Sequence, residues 1–432
     1  VIGVDVADAR NYWKIGALND GIFPLVANDP QIQELFEATR KKGNFYATFD
    51  EYAYACADVI VIDINLDVQK VSKQDGSLDG FDVDLMNFRA AIEIIGRNCK
   101  QDALILVETT VPPGTCEKVV KPILEREFDK RDLSHTGFFL GHSYERVMPG
   151  PDYVDSIRNY PRVYSGIDQR SADKVEFFLR SIINTSTCEL TRLSGTNATE
   201  MAKVLENSYR AMNISFAVEW SRFAEEANVD LYSIVNAIRV RPTHSNLMYP
   251  GLGVGGYCLT KDPLMASWAR QAFFGSESPL KMSVNSVSIN DQMPRLALER
   301  IAQVFGSLEG KRVAILGVSY RGDVGDTRYT PVERLVRGII HTTKNIVLHD
   351  PFVSFWEEME CEVESDLDLV LSEPSDLIIL SAAHSVYKKD IVNLLIDSPS
   401  SFLFDTVGLL DEGQIEVLRE KHQISVLGRG DI

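Results

Sequence analysis

Ala103-Leu104-Ile105-Leu106-Val107-Glu108-Thr109-Thr110-Val111-Pro112-Pro113-Gly114-Thr115 is the stretch that decides the fold. Its unbroken apolar start reads as a strand buried on both faces. The run ends in a turn-rich loop, and residues 116–128 then follow a helical pattern. Strand, loop and helix in that order are the building block of a parallel sheet. The block recurs on both sides. Strands are predicted at 1–4, 45–48, 59–64, 138–140 and 162–164, with helices at 31–41, 85–99 and 172–182. This alternation predicts a doubly wound α/β sheet.

From Gly195 to Ala227 the pattern changes to one long helix, with no Pro or Gly after its start. Thr196 or Asn197 can cap it. At about 45 Å it is longer than one domain needs, so it is expected to link two domains and to offer a face for self-association. A second helix-rich piece covers 262–305. Arg312-Val313-Ala314-Ile315-Leu316-Gly317 then reads as a strand entering a turn, followed by strands at 345–349, 376–381 and 402–405. The chain is therefore read as α/β, with two Rossmann-like doubly wound domains joined by a long central helix and a helical dimerisation region. The boundaries are 1–194, 195–305 and 306–432.

A length of 432 residues fits two or three domains. The net charge of −18, from 44 basic and 62 acidic residues, argues against nucleic acid or an anionic membrane surface as partner. A small anionic ligand stays open, because local amides and a few basic side chains decide that contact. No apolar run approaches membrane-spanning length, and no signal peptide is visible at the start as given. Six cysteines (56, 99, 116, 188, 258 and 361) show no CxxC spacing, and the seven histidines form no HExxH pattern. No disulfide framework or metal site is expected, and the compartment is read as reducing cytoplasm.

The chemistry concentrates in Gly251-Leu252-Gly253-Val254-Gly255-Gly256-Tyr257-Cys258-Leu259-Thr260-Lys261-Asp262. Four glycines within six residues let backbone N–H groups turn toward an anion. A thiol beside such a loop and a lysine should have a lowered pKa and act as a nucleophile. Cys258 therefore suggests covalent chemistry on a phosphorylated or nucleotide-linked substrate. The bland alternative is a glycine turn followed by a buried, inert cysteine.

Six other candidates qualify. In the opening stretch Thr115 reads as a helix N-cap, and Thr110, on the strand–loop edge, is the functional candidate. In His142-Ser143-Tyr144-Glu145-Arg146-Val147-Met148-Pro149-Gly150, Glu145 reads as a general base or a holder of water, or as an exposed side chain paired with Arg146. Lys203 and Asn207, four apart on one helical face, can hold a developing oxyanion or form a solvated stripe. Asp262 before Pro263 is a normal N-cap with a first-turn proline, and a functional role can coexist with that. Arg321 and Arg328 lie in a glycine-bearing loop that begins at Tyr320, suited to phosphate or carboxylate or to a solvated turn. Asp5, ending the first strand, fits the acid that binds adenosine ribose hydroxyls, or a turn residue. The Gly-rich loop that precedes such a strand would lie about twenty residues upstream and is not in this sequence.

Together these residues resemble the nucleotide-sugar 6-dehydrogenase family, which includes UDP-glucose and UDP-N-acetylhexosamine dehydrogenases. Thr109-Thr110-Val111-Pro112 looks like its S-T-V-P segment and Ser143-Tyr144-Glu145-Arg146-Val147 like its S-P-E-R-V. Lys203 with Asn207 matches its K-x-x-x-N helix. Gly255-Gly256-Tyr257-Cys258 with Lys261-Asp262 is close to its G-G-x-C-x-x-K-D signature. Tyr320-Arg321, Asp326-Thr327-Arg328 and Gly428-Arg429-Gly430 match its second-domain loop and ending.

The resemblance implies an NAD-dependent four-electron oxidation of a UDP-sugar at C6, in a cytoplasmic homodimer or higher homo-oligomer. Cys258 would carry a thiohemiacetal and then a thioester. Lys203 and Asn207 would stabilise oxyanions, Asp262 would support the base or water, and Thr110 and Glu145 would position the hydrolytic water. Asp5, Thr110, Lys261 and Arg328 fall on the NAD side; Gly253, Gly255, Gly256, Tyr320, Arg321 and Arg241 fall on the nucleotide-sugar side. The domains would bind NAD (1–194), dimerise and carry the cysteine (195–305), and bind the UDP-sugar (306–432). Residues 145–150 and 205–214 look like the N-acetylhexosamine branch, Lys261 like the UDP-glucose branch. The family pattern is left at three points: the absent Gly-rich loop, Ile64-Asn65-Leu66-Asp67 in place of V-P-T-P, and Pro149 where some members carry a second Glu. The first two bear on NAD affinity, the third on a water mechanism with two carboxylates. The competing readings are a two-electron hydroxyacid-type dehydrogenase and a nucleotide-sugar-binding relic without NAD.

Overall fold

The apolar run Leu104–Val107 is fully buried inside a sheet. The computed structural model describes every residue except 9–10, 25–28, 135 and 148–149, so Pro149 lies outside the described residues. The chain divides into two units. One comprises Val1–Asp67, Val83–Val204 and Trp268–Glu277; the other comprises Val68–Asp82, Leu205–Ser267 and Ser278–Ile432.

In the first unit β1 (Ile2–Val4) pairs in parallel with β2 (Tyr46–Thr48). β3 (Val59–Ile62) opens the main sheet. β4 (Val68–Ser72) and β5 (Leu78–Val83), which interrupt the first unit in sequence, make a separate two-stranded sheet around a turn where Gly76 takes φ +79°. β6 (Leu104–Val107), β7 (Phe139–Tyr144), β8 (Arg162–Gly166) and β9 (Leu190–Arg192) complete the main sheet in the order β3-β6-β7-β8-β9. Neighbours run parallel except β7 and β8. Leu104, Leu106, Phe139 and Tyr164 pack on Val175 and Leu179 of the Gln169–Leu179 helix.

In the second unit β10 (Val313–Leu316) and β11 (Ile346–His349) pair in parallel. β12 (Phe355–Trp356) and β13 (Cys361–Glu362) form a small antiparallel pair. β14 (Leu377–Leu380), β15 (Phe402–Asp405) and β16 (Gln423–Val426) extend a fully parallel sheet of order β11-β10-β14-β15-β16. Side chains alternate faces along each strand. Val313, Ile315, Leu377 and Ile379 enter one core with Leu335 and Ile339, while Ala314, Leu316, Ile378 and Leu380 enter another with Tyr387 and Ile391. Two cores on two faces are the doubly wound arrangement. The strand order reverses beside β10, the place where such sheets bind ligands at their C-terminal edge.

The predicted long helix is Thr196–Glu226, and it supplies residues to both units. No helix among the described residues is long and apolar enough to cross a membrane.

Three local expectations change. β1 was expected as a buried strand; among the described residues it pairs with β2, and Ile2 is 47% exposed. The helix expected at 116–128 starts as a wider π-helical turn, Cys116–Val120, before Lys121–Asp129. Pro122 lacks the N–H that an α-turn needs there. The β4–β5 strands were not foreseen. They belong with the second unit, where Lys70 pairs with Asp291 at 2.8 Å and the Leu78 N–H donates to Ser288 Oγ at 3.1 Å.

Gly166 ends β8 against the start of the Gln169–Leu179 helix, and a Cβ there would meet the Ala172 amide and the Ser171 backbone. Gly166→Ala is expected to destabilise the chain by about 1–3 kcal/mol, read as a lower denaturation midpoint with an unchanged slope.

Candidate active site

In the first unit the loop after β6 is pinned at its start, where the Glu108 and Thr109 N–H groups both donate to Ile62 O at the end of β3 (3.0 and 3.2 Å). This leaves Thr110 half-buried at the sheet's C-terminal edge. The turn that follows is held from the central helix. Glu200 is fully buried and accepts the Gly114 N–H at 2.6 Å and the Cys116 N–H at 2.8 Å. Gly114 takes φ +99° against the Phe273 and Phe274 rings. Thr115 was expected to cap this helix. Its backbone is already helical (φ −64°, ψ −45°), and its hydroxyl instead donates to Pro112 O at 2.6 Å. Burial pushes Glu200 up to about 7, against the thiol and amide bonds that favour its charged form.

Glu145 follows β7, and its Oε2 accepts the Val147 N–H. It faces Lys203, with 37% of its side chain still exposed. Lys203 Nζ donates to Glu145 O at 3.0 Å, lies 3.6 Å from Oε1, and sits over the Tyr144 ring. Two more carboxylates end neighbouring strands. Burial raises the pKa of Glu108 despite its pairing with Arg162, and burial, then Glu145, raises Asp63. Beneath them His142 is fully buried, and burial pulls its pKa down to about 3. His142 Nδ1 lies 2.9 Å from Thr199 Oγ1, which also reaches Thr196 O at 3.0 Å and Ser165 Oγ at 2.8 Å.

In the second unit Cys258 is exposed, which removes the buried, inert alternative. The Lys261 and Asp262 N–H groups donate to its carbonyl oxygen at 3.2 and 3.0 Å. The thiol residue thus sits one turn ahead of the Asp262–Ala272 helix, whose N-terminal amides favour nearby negative charge. Asp262 has no exposure; Oδ2 accepts from Asn207 Nδ2 at 2.6 Å and Oδ1 from Lys261 Nζ at 3.1 Å. Both oxygens thus take side-chain donors. Lys261 lies 4.4 Å above the Tyr257 ring.

The glycines before Cys258 answer a packing demand. A Cβ on Gly255 would strike Tyr320 Cβ, one on Gly256 would lie 2.9 Å from the Tyr320 ring, and one on Gly253 would lie 2.8 Å from Asn290 O. The Gly256 N–H donates to Arg328 O at 3.1 Å, so this amide serves the loop itself rather than an anion. The Tyr320 N–H donates to Asp326 O at 3.0 Å, and Arg328 binds the Asp326 carboxylate twice, at 2.9 and 2.7 Å. The site residues therefore meet in three groups: Lys203 with Glu145, Asn207 with Asp262 and Lys261, and the Cys258 loop with Tyr320 and Arg328. Arg321 is exposed in the same loop as Tyr320. Asp5 and Arg241 are exposed and make no hydrogen bond or ion pair to another predicted site residue among the described residues. No cluster of three His, Cys, Asp or Glu that could hold a metal occurs among the described residues.

The UDP-glucose/GDP-mannose dehydrogenase family matches in three parts: its NAD binding domain over residues 1–185, its central domain over 197–292 and its UDP binding domain over 314–412. A UDP-N-acetyl-D-mannosamine dehydrogenase of Methanocaldococcus jannaschii is 31% identical over 352 residues, 80% of this chain and 75% of that protein. The chain belongs to the UDP-glucose/GDP-mannose dehydrogenase family. It is an NAD-dependent UDP-sugar dehydrogenase, an oxidoreductase with NAD as cofactor. A second UDP-N-acetyl-D-mannosamine dehydrogenase, from Pyrococcus horikoshii, is 29% identical over 94% of this chain and 93% of its own length. The solved UDP-D-ManNAc dehydrogenase of Pyrococcus horikoshii shares the fold with a TM-score of 0.81, at 24% identity over 100% of this chain and 94% of that one.

The chain's own residues fit NAD at one point that can be checked in the structure. Asp5 ends a parallel strand as an exposed carboxylate, the acceptor a ribose diol requires, and its bonds from Val6 N (2.7 Å) and Asn11 Nδ2 (3.4 Å) both run to Oδ1.

Sequence reasoning passed over Glu200, Asp63 and His142. Glu200 stands three residues before Lys203 on the same helix, and that spacing beside a proposed functional lysine was the available signal.

Because the folded pKa of Glu200 is raised to about 7 from 4.5, the folded chain holds this proton more tightly than the unfolded chain. The contribution is fully present below pH 4.5 and is lost as pH rises through 7. Glu200→Gln is expected to flatten the fall in stability between pH 5 and 8 by up to about 1.4 kcal/mol per pH unit. Asp405, raised to about 6 by burial, adds a slope of the same sign that the variant leaves in place. Denaturant titrations of both proteins across that range measure the difference.

Proposed function

We propose that the chain oxidises the C6 hydroxyl of a UDP-N-acetylhexosamine to the uronic acid, with the half-oxidised sugar held on Cys258. The observation that carries this reading is an exposed thiol one turn ahead of a buried Asp262 that is bonded to both Asn207 and Lys261. NAD, when bound, accepts one hydride in each of two oxidations, at the alcohol and at the thiohemiacetal. The chain's residues do the rest. The alcohol proton leaves to a base or water oriented by Asp262. The Cys258 sulfur adds to the resulting aldehyde carbon, and Lys203 and Asn207 stabilise the oxyanion that forms. Loss of hydride converts that adduct into a thioester. Water held by Thr110 and Glu145 then attacks its carbonyl, and the C–S bond breaks to release carboxylate and thiol. A thiol suits this order because the aldehyde must be retained between two hydride departures.

Asp5, Thr110, Lys261 and Arg328 are assigned to the cofactor, and Gly253, Gly255, Gly256, Tyr320, Arg321 and Arg241 to the nucleotide sugar. The relatives called UDP-N-acetyl-D-mannosamine dehydrogenase support an N-acetylated hexose. The wild-type chain is expected to yield two NADH per UDP-N-acetylhexosamine consumed. Cys258→Ser should stall with the sugar attached as an ester, visible as added mass on the protein. A yield of one NADH per sugar, or full turnover in Cys258→Ala, sinks the reading. A panel that includes UDP-glucose decides the sugar.

A homodimer is proposed through the central helix. Leu205, Tyr209, Phe216, Trp220 and Phe223 recur at three-, four- and seven-residue spacings and are all exposed, with the last three rings in contact. Sedimentation should give a dimer, and Trp220→Glu should shift it toward monomer at equal concentration.

A further inference from the structure

Ser319, Asp350 and His384 follow three different strands, β10, β11 and β14, and meet with no exposure at all. Those strand ends flank the point where the strand order reverses. Asp350 Oδ2 accepts the N–H groups of Val318 (2.9 Å) and Ser319 (3.0 Å) and the Ser319 hydroxyl (3.0 Å), and lies 3.1 Å from His384 Nε2. Its Oδ1 accepts the Phe352 N–H at 2.9 Å. On the far side of the ring the Asp323 N–H donates to His384 Nδ1 at 2.9 Å. An accepting Nδ1 carries no proton, so the proton of the neutral ring sits on Nε2, 3.1 Å from both Asp350 Oδ2 and Ser319 Oγ. The Asp323 carboxylate then accepts the Ser385 N–H (2.9 Å) and hydroxyl (3.0 Å).

Both ends of the segment 318–323 are thereby clamped. Asp350 holds Val318 and Ser319, His384 holds Asp323, and Tyr320 and Arg321 lie between. Gly322 passes so close to the Ala383 carbonyl oxygen that a Cβ would strike it. The segment has no regular secondary structure of its own to fix this shape.

We propose that His384 is a positioning residue for the nucleotide sugar: its Nδ1 acceptor and Nε2–H donor hold residues 318–323 in the shape that presents Tyr320 and Arg321 to the uridine diphosphate moiety. This rests on the assignment of Tyr320 and Arg321 to the substrate and deepens it. The rival account is packing alone, since the ring also lies against Phe352 and Tyr387 at 5.4 and 5.3 Å.

Three variants of the full chain separate the accounts. His384→Phe keeps an aromatic ring and removes both polar atoms. His384→Asn keeps an acceptor near Nδ1, and His384→Gln keeps a donor near Nε2. Calorimetry with UDP is expected to show about tenfold weaker binding for His384→Phe and recovery to within about threefold of wild type for His384→Asn. The KM for the UDP-sugar should rise in step, with the KM for NAD unchanged. Wild-type UDP affinity in His384→Phe, or an Asn variant as weak as the Phe variant, overturns the proposal. If the Phe variant does not fold, the Asn variant must still bind UDP more tightly than the Gln variant; equal affinities overturn it. Arg321→Ala isolates the underlying assignment. Unchanged UDP affinity there removes the substrate role of the loop, whereas loss in Arg321→Ala alone removes only the role of His384.

Discussion

A carboxylate with no exposure needs partners on both oxygens, and Asp262 has one of each kind: the ammonium of Lys261 and the amide of Asn207. Removing a partner from a buried charge costs about 3–5 kcal/mol, so these three side chains stand or fall together. Asp262 also donates its backbone N–H to Cys258 O, which fixes the thiol residue relative to the helix that follows. One residue thus connects the reactive loop, a lysine and the central helix. The chemistry assigned to the second unit rests on that junction.

The same device recurs wherever a loop must hold its shape. Glu200 takes two amides of the 112–116 turn, Asp350 takes three around β10 and β11, Asp405 takes those of Val407 and Leu410, and Asp29 takes those of Gln31 and Val154. All four carboxylates are buried. A buried carboxylate accepts several bonds from fixed directions, so it can organise backbone that no ladder or helix supports. Loops at strand ends can then carry functional side chains on a rigid mount.

The sheets and the long helix were legible because their information is local. Apolar runs and a stretch without Pro or Gly leave few alternatives, and the strands at 313–316 and 377–380 and the helix at 196–226 fall where expected. The motif residues were legible through their spacing to nearby neighbours. The carboxylate anchors were not. Glu200 bonds amides 84 and 86 residues away, and Asp350 bonds His384 34 residues away. Each looks like an ordinary residue in its own window. The reason for the glycines before Cys258 was hidden likewise, because Tyr320 sits on a different element.

The division of the chain has a consequence for its synthesis. The polypeptide passes between the two units five times, and Trp268–Glu277 returns to the first unit long after the rest of it has been made. Phe273 and Phe274 in that segment line the space beside Gly114. A nascent chain emerging from the ribosome therefore cannot close its leading unit in vectorial order, as separately encoded domains do. The first unit can close only once residue 277 has emerged, and a chain that stops before residue 268 lacks part of both units.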